Sequence, residues 1–192
     1  MKTKRISSKQ LIALVLILIG AVSSIFGITG LTKSSSEDPY ESRNGIVMVY
    51  ATVYDNEGNS EAGMGTGWAI GTPGQPIQYI VTNGHVVNKA YTYPRYDSSL
   101  YGGEIDVFFS AAEYDYVKAK VVYFSPQEEK DIAILQLPSP TDKRTALTLR
   151  DSGDIKIGDT AYALGYPGKS SQRQDFATYG IEHITITRGI IS

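Results

Sequence analysis

Short runs rich in β-branched and aromatic residues constrain this chain most. Ile46 to Tyr54, Gly65 to Gly71, Ile77 to Thr82, Glu104 to Ser110, Tyr116 to Phe124 and Ile132 to Leu137 each read as a β-strand. Turn residues punctuate them. Asp55-Asn56-Glu57-Gly58-Asn59 and Thr72-Pro73-Gly74-Gln75-Pro76 read as hairpin loops, because Gly supplies a left-handed backbone and Pro a fixed φ for tight reversals. Such a series predicts an antiparallel sheet closed, or nearly closed, into a barrel, which removes the unpaired edges that invite aggregation. Pro138-Ser139-Pro140 interrupts the pattern, and strand signals resume at Asp159 to Tyr166 and Ile184 to Ile191. The expected class is all-β: a first barrel over residues 44–138 and the incomplete start of a second over 139–192. The Tyr-rich stretch Tyr91 to Tyr101 reads as an exposed loop.

Ahead of the strands, Leu11 to Gly30 contains 20 residues without a charge. At ~1.5 Å rise per residue they make roughly 30 Å of helix, enough to cross a bilayer core. The cluster Lys2, Lys4, Arg5 and Lys9 would hold the N-terminus in the cytoplasm. The expectation is a cytoplasmic tail over 1–10, one transmembrane helix over 11–31, a disordered linker over 32–43, and an extracytoplasmic remainder. A cleaved signal peptide, leaving a secreted domain, is the alternative, since Ala21-Val22-Ser23 is a loose small-x-small site. The apolar stretch continues past that site through Ile25-Phe26-Gly27-Ile28, which favours the anchor.

Charge and cysteine count exclude several functions. Five of the 18 basic side chains precede the first acid, Glu37, which leaves 13 against 20 acidic ones beyond it. An acidic ectodomain lacks the clustered positive face that nucleic acid requires. With no cysteine, neither a disulfide nor a thiolate metal site can form, and two histidines, His85 and His183, make no metal constellation. His183 reads as a surface residue in a strand. Gly168-Lys169-Ser170 lacks the upstream glycine of a phosphate loop, Ala163 standing there, so it reads as a turn. No cofactor is expected.

Two residues carry the chemistry. His85 follows the apolar strand Tyr79-Ile80-Val81-Thr82 directly, with Gly84 permitting a tight turn into one helical turn over Val86 to Lys89. Asp131 heads the apolar run Ile132-Ala133-Ile134-Leu135, where a carboxylate entering the core edge needs a partner. A hydroxyl nucleophile is poor at neutral pH unless a base removes its proton. Imidazole suits that task, and a buried acceptor must hold it in one tautomer. His85 and Asp131 are therefore the candidate base and orienting acid.

The sequence resembles the trypsin-like serine peptidases, and within them the bacterial DegP/HtrA-like branch. The resemblance rests on Gly65-Thr66-Gly67-Trp68-Ala69-Ile70, Ile80-Val81-Thr82-Asn83-Gly84-His85-Val86-Val87, Asp131-Ile132-Ala133-Ile134-Leu135, Gly158-Asp159 and Ala163-Leu164-Gly165-Tyr166-Pro167. Thr185-Ile186-Thr187-Arg188-Gly189-Ile190-Ile191-Ser192 looks like a further strand of the same branch. The resemblance implies a double β-barrel, a serine endopeptidase acting on extracytoplasmic polypeptides, and homo-oligomerisation. It also implies that His85 is the general base and Asp131 its orienting acid.

One element of the family pattern is missing. The Gly-Asn-Ser-Gly-Gly-Pro segment that carries the nucleophile is not among the 192 residues. Gly58-Asn59-Ser60-Glu61-Ala62-Gly63 precedes His85, reads as part of a hairpin loop and lacks the glycine after serine. The expectation is a peptidase cut short before its nucleophile and inactive as it stands. The competing expectation is a catalytically inactive, membrane-anchored binding module that uses the aromatic loop Tyr91 to Tyr101 for recognition.

Overall fold

The computed structural model of the chain describes residues 38–96, 99–166 and 183–192. The expected tail over 1–10, the anchor or signal segment over 11–31 and the Gly168-Lys169-Ser170 turn lie outside the described residues. Among the described residues no helix is long and apolar enough to cross a membrane. Where the expected linker enters view it is not irregular: helical turns occupy Pro39–Ser42 and Arg43–Gly45. The cause is local. Asp38 caps the first turn by accepting the Tyr40 N–H at 2.9 Å, and Pro39 has the fixed φ that suits a first helical position.

Seven strands form one antiparallel sheet: β1 (Ile46–Asp55), β2 (Ser60–Ile70), β3 (Ile77–Thr82), β4 (Leu100–Ser110), β5 (Asp115–Lys118), β6 (Lys120–Ser125) and β7 (Ile132–Thr141). A helix, α1 (Gly84–Tyr96), connects β3 to β4, and β8 (Thr160–Gly165) pairs with β9 (Thr185–Ile190) in a second sheet. The molecule is thus mostly β rather than all-β. Strand order in the large sheet is β5-β4-β1-β2-β3-β7-β6.

That order explains the curvature. β5 and β6 are the two edges, yet only Ala119 separates them in the chain, and its N–H donates to the Ile105 carbonyl of β4 at 2.8 Å. A flat sheet of this width would hold its edges roughly 29 Å apart, from strand spacings of ~4.8 Å. One residue cannot span that gap, so the sheet must curl until the edges approach. The Lys143–Asp115 ion pair, from just past β7 to β5, lies across the same seam.

Three expectations need correction. Tyr116 to Phe124, expected as one strand, is two, because the chain leaves one edge of the sheet at Lys118 and joins the other at Lys120. β7 runs through Pro138-Ser139-Pro140 instead of stopping there. β6 pairs with β7 only as far as Gln136, and the β3 register slips between Ile77 and Tyr79, so few ladder bonds need the missing proline N–H groups. Finally, the described residues of Tyr91 to Tyr101 are not one exposed loop: α1 continues to Tyr96 and β4 begins at Leu100. Val87 and Ala90 are buried in the barrel core, and the Tyr91 ring meets Phe124 at 5.2 Å between centroids. Packing of this helical face overrides the β-leaning preference of neighbours such as Thr92.

β1 is buried on both sides. Val47, Val49 and Ala51 join Ile80, Val107 and Leu135 in the barrel core, whereas Ile46 and Met48 join Phe108, Tyr166 and Ile184 in a second core. Alternation along a strand produces this division, since successive side chains point to opposite faces. Burial of each Val, Ile, Leu, Met or Phe side chain among these is worth ~1.5–3 kcal/mol relative to exposure. The second core sets the ends of the β8–β9 sheet against the barrel, where the Tyr166 N–H donates to Thr66 Oγ1 at 2.8 Å.

Candidate functional site

Two close approaches bring the candidate residues together. β3 ends at Thr82, whose hydroxyl donates to the Thr66 carbonyl of β2 at 2.8 Å, and α1 starts at Gly84. A Cβ at Gly84 would lie 2.2 Å from the Ser125 carbonyl oxygen, so only glycine lets the helix begin against the end of β6. At Gly65 on β2 a Cβ would lie 2.5 Å from the Val86 side chain, and its absence makes the room into which α1 settles. His85 thereby comes to rest beside Asp131.

The loop from β6 to β7 presents Asp131 in an uncommon conformation. Its φ is 52°, a left-handed backbone that costs a non-glycine residue roughly 1–2 kcal/mol and that Asp tolerates better than most. Local bonds hold it there. The Asp131 N–H donates to the Pro126 carbonyl at 2.9 Å, the Lys130 N–H donates to Ser125 Oγ at 3.2 Å, and Ser125 Oγ donates to Glu129 Oε2 at 3.2 Å. Ser125 is itself buried, so this turn is fastened to the barrel rather than floating in solvent.

His85 Nδ1 lies 2.9 Å from Asp131 Oδ2 and 3.1 Å from Oδ1, and the His85 backbone N–H donates to Oδ1 at 2.9 Å. An ionised carboxylate only accepts, so Nδ1 carries the proton of the neutral ring and Nε2 is left as the basic atom. The Asp131 carboxyl is held below the usual range, first by the His85 backbone N–H, then by the His85 side chain and the Asn83 amide, against some desolvation. Side-chain exposure is 51% for His85 and 24% for Asp131, so solvent screens the pair and its value lies in orientation more than in stability.

Asn83 is the participant that sequence reasoning missed. Its Nδ2 donates to both the main-chain oxygen and Oδ2 of Asp131, each at 3.2 Å. A polar residue between a strand and a helix ordinarily reads as a helix cap, and nothing local marks it as a partner of a residue 48 positions away. Ser60 lies not in the hairpin loop but at the start of β2, opposite Tyr54 and exposed. His183 sits in a helical turn just ahead of β9 rather than within a strand. Among the described residues no group of three His, Cys, Asp or Glu side chains could hold a metal ion.

Comparison with known proteins adds the family context. The trypsin-like peptidase domain matches residues 65–192. The serine protease Do-like HtrA of Bacillus subtilis is 29% identical over 170 residues, covering 88% of this chain and 29% of its own. The probable periplasmic serine endoprotease DegP-like of Halomonas elongata is 30% identical over 138 residues, covering 71% of this chain and 22% of its own. The solved serine endoprotease from Yersinia pestis aligns with a TM-score of 0.48 and 19% identity, over 83% of this chain and 46% of its own. This chain thus spans less than a third of the length of these two curated relatives.

Proposed function

The chain belongs to the trypsin-like peptidase family, with DegP/HtrA-type serine proteases among its relatives, and from that premise we propose that His85 is the general base and Asp131 its orienting acid in serine endopeptidase chemistry. The single observation that carries the reading is the pair of contacts from His85 Nδ1 to the Asp131 carboxylate at 2.9 and 3.1 Å, which leaves Nε2 basic. A serine hydroxyl gives its proton to Nε2 as its oxygen attacks the peptide carbonyl. Asp131 steadies the imidazolium, which passes the proton to the leaving amine. Water, activated by the same imidazole, then releases the acyl group and restores the hydroxyl.

The nucleophile in this reading is a serine outside these 192 residues, because no Gly-Asn-Ser-Gly-Gly-Pro segment occurs within them. The substrates are polypeptides met outside the cytoplasm, with residues 11–31 as anchor. The uncharged run Leu11 to Gly30 and the basic cluster before it support that placement. The alternative of an inactive binding module relied on an aromatic loop. Among its described residues α1 runs to Tyr96 and β4 begins at Leu100, which leaves the alternative without a carrying observation.

A fluorophosphonate probe tests the assignment on the chain itself. Such probes capture a serine activated by a neighbouring base, so the 192-residue polypeptide should remain unlabelled. Labelling at Ser60 would place the nucleophile inside the chain and overturn the reading.

A further inference from the structure

We propose that Asn83 is a positioning residue, its side-chain amide bridging the main-chain oxygen and the carboxylate of Asp131 so that the carboxylate stays aimed at His85 Nδ1. The inference rests on the assignment of His85 and Asp131 as base and orienting acid. Its geometry is specific. Both Asp131 atoms within reach of the Asn83 side chain are acceptors, so the NH2 end of the amide must face them, and its two hydrogens match two acceptors at 3.2 Å each.

The two bonds restrain different motions. Rotation about the Cβ–Cγ bond carries both carboxylate oxygens, and the His85 backbone N–H opposes it at Oδ1 alone, at 2.9 Å. The Asn83 bond to Oδ2 stops that rotation and keeps both oxygens within 3.1 Å of Nδ1. The bond to the main-chain oxygen acts on the backbone, where Asp131 sits at a φ of 52°. Asn83 stands immediately ahead of α1, where an Asn side chain commonly caps the helix. Here the main-chain oxygen of Asn83 accepts the Val86 N–H at 3.2 Å, and the side-chain NH2 is given to Asp131. His85 is the titratable group acting on the carboxylate, and Asn83 adds donors without adding charge.

Carbon-13 and nitrogen-15 NMR of the full chain in detergent micelles, labelled at the Asp carboxyl carbons and the His rings, tests the proposal. The Asp131 signal is assigned through Asp131→Asn. In Asn83→Ala the Asp131 titration midpoint should rise toward the ordinary Asp value, and the His85 Nδ1–H signal should be lost to faster solvent exchange. Asn83→Ser keeps one short donor and should fall between parent and Ala variant; it also supplies the measurement if the Ala variant does not fold. An unmoved midpoint together with a retained Nδ1–H signal overturns the proposal. Neither signal depends on turnover. Shifts in both without peptidase activity in any longer product of the gene would uphold Asn83 and defeat the endopeptidase reading. Unmoved signals beside His85-dependent hydrolysis would do the reverse.

Discussion

Asp131 carries the clearest consequence at the scale of single residues. Its carboxyl is depressed, chiefly by the His85 backbone N–H. A depressed acid contributes stability that is fully present above its unfolded pKa, ~3.9, and is lost as pH falls through the lower folded value. The stability gap between the parent and Asp131→Asn, measured by urea denaturation, should therefore be widest above about pH 4 and shrink as the solution is acidified below it. A gap that stays constant through the acid range contradicts the bonding described. The meeting of His85 and Asp131 was legible in the sequence because one follows an apolar strand and the other heads an apolar run, where a carboxylate needs a partner. Asn83 was not, since a polar residue between strand and helix has several ordinary uses. Only the fold reveals that its amide reaches the far loop.

At the level of elements, the strands were legible from alternation and turn residues, but their partners were not. Nothing within Tyr116 to Phe124 says that its two halves join opposite edges of a sheet, because edge membership depends on where the earlier strands have already paired. The second half of α1 was hidden for a related reason. Thr92 and Tyr93 favour strands locally, and the docking of Val87 and Ala90 into the barrel core decides the matter. The curled sheet makes a graded prediction. Leu135 is fully buried on β7, and Leu135→Ala should cost ~2–5 kcal/mol by thermal or chemical denaturation. Ile157 is 85% exposed, and Ile157→Ala should stay within about 0.5 kcal/mol of the parent. Equal losses at the two positions would contradict the assignment of the core.

For the whole molecule, the curled sheet, α1 and the β6–β7 loop act as one frame. The sheet holds β3 beside β7, the glycines at 65 and 84 let α1 close against that frame, and His85 meets Asp131 as a result. The large curled sheet was legible because most of its strands are local in sequence and its turns are marked. The second sheet was legible only as two strand signals, and the described residues show that pair with the second core beneath it. Membership of the trypsin-like peptidase family is the premise on which we propose that this frame serves hydrolysis of peptide bonds. The central claim is that His85 activates a serine outside these residues. The most direct measurement is peptide hydrolysis by the product of the complete native gene, with and without His85→Ala. A fall of about 10⁴-fold in kcat is expected, with a comparable loss in Asp131→Asn. Near-parental hydrolysis in His85→Ala would contradict the account.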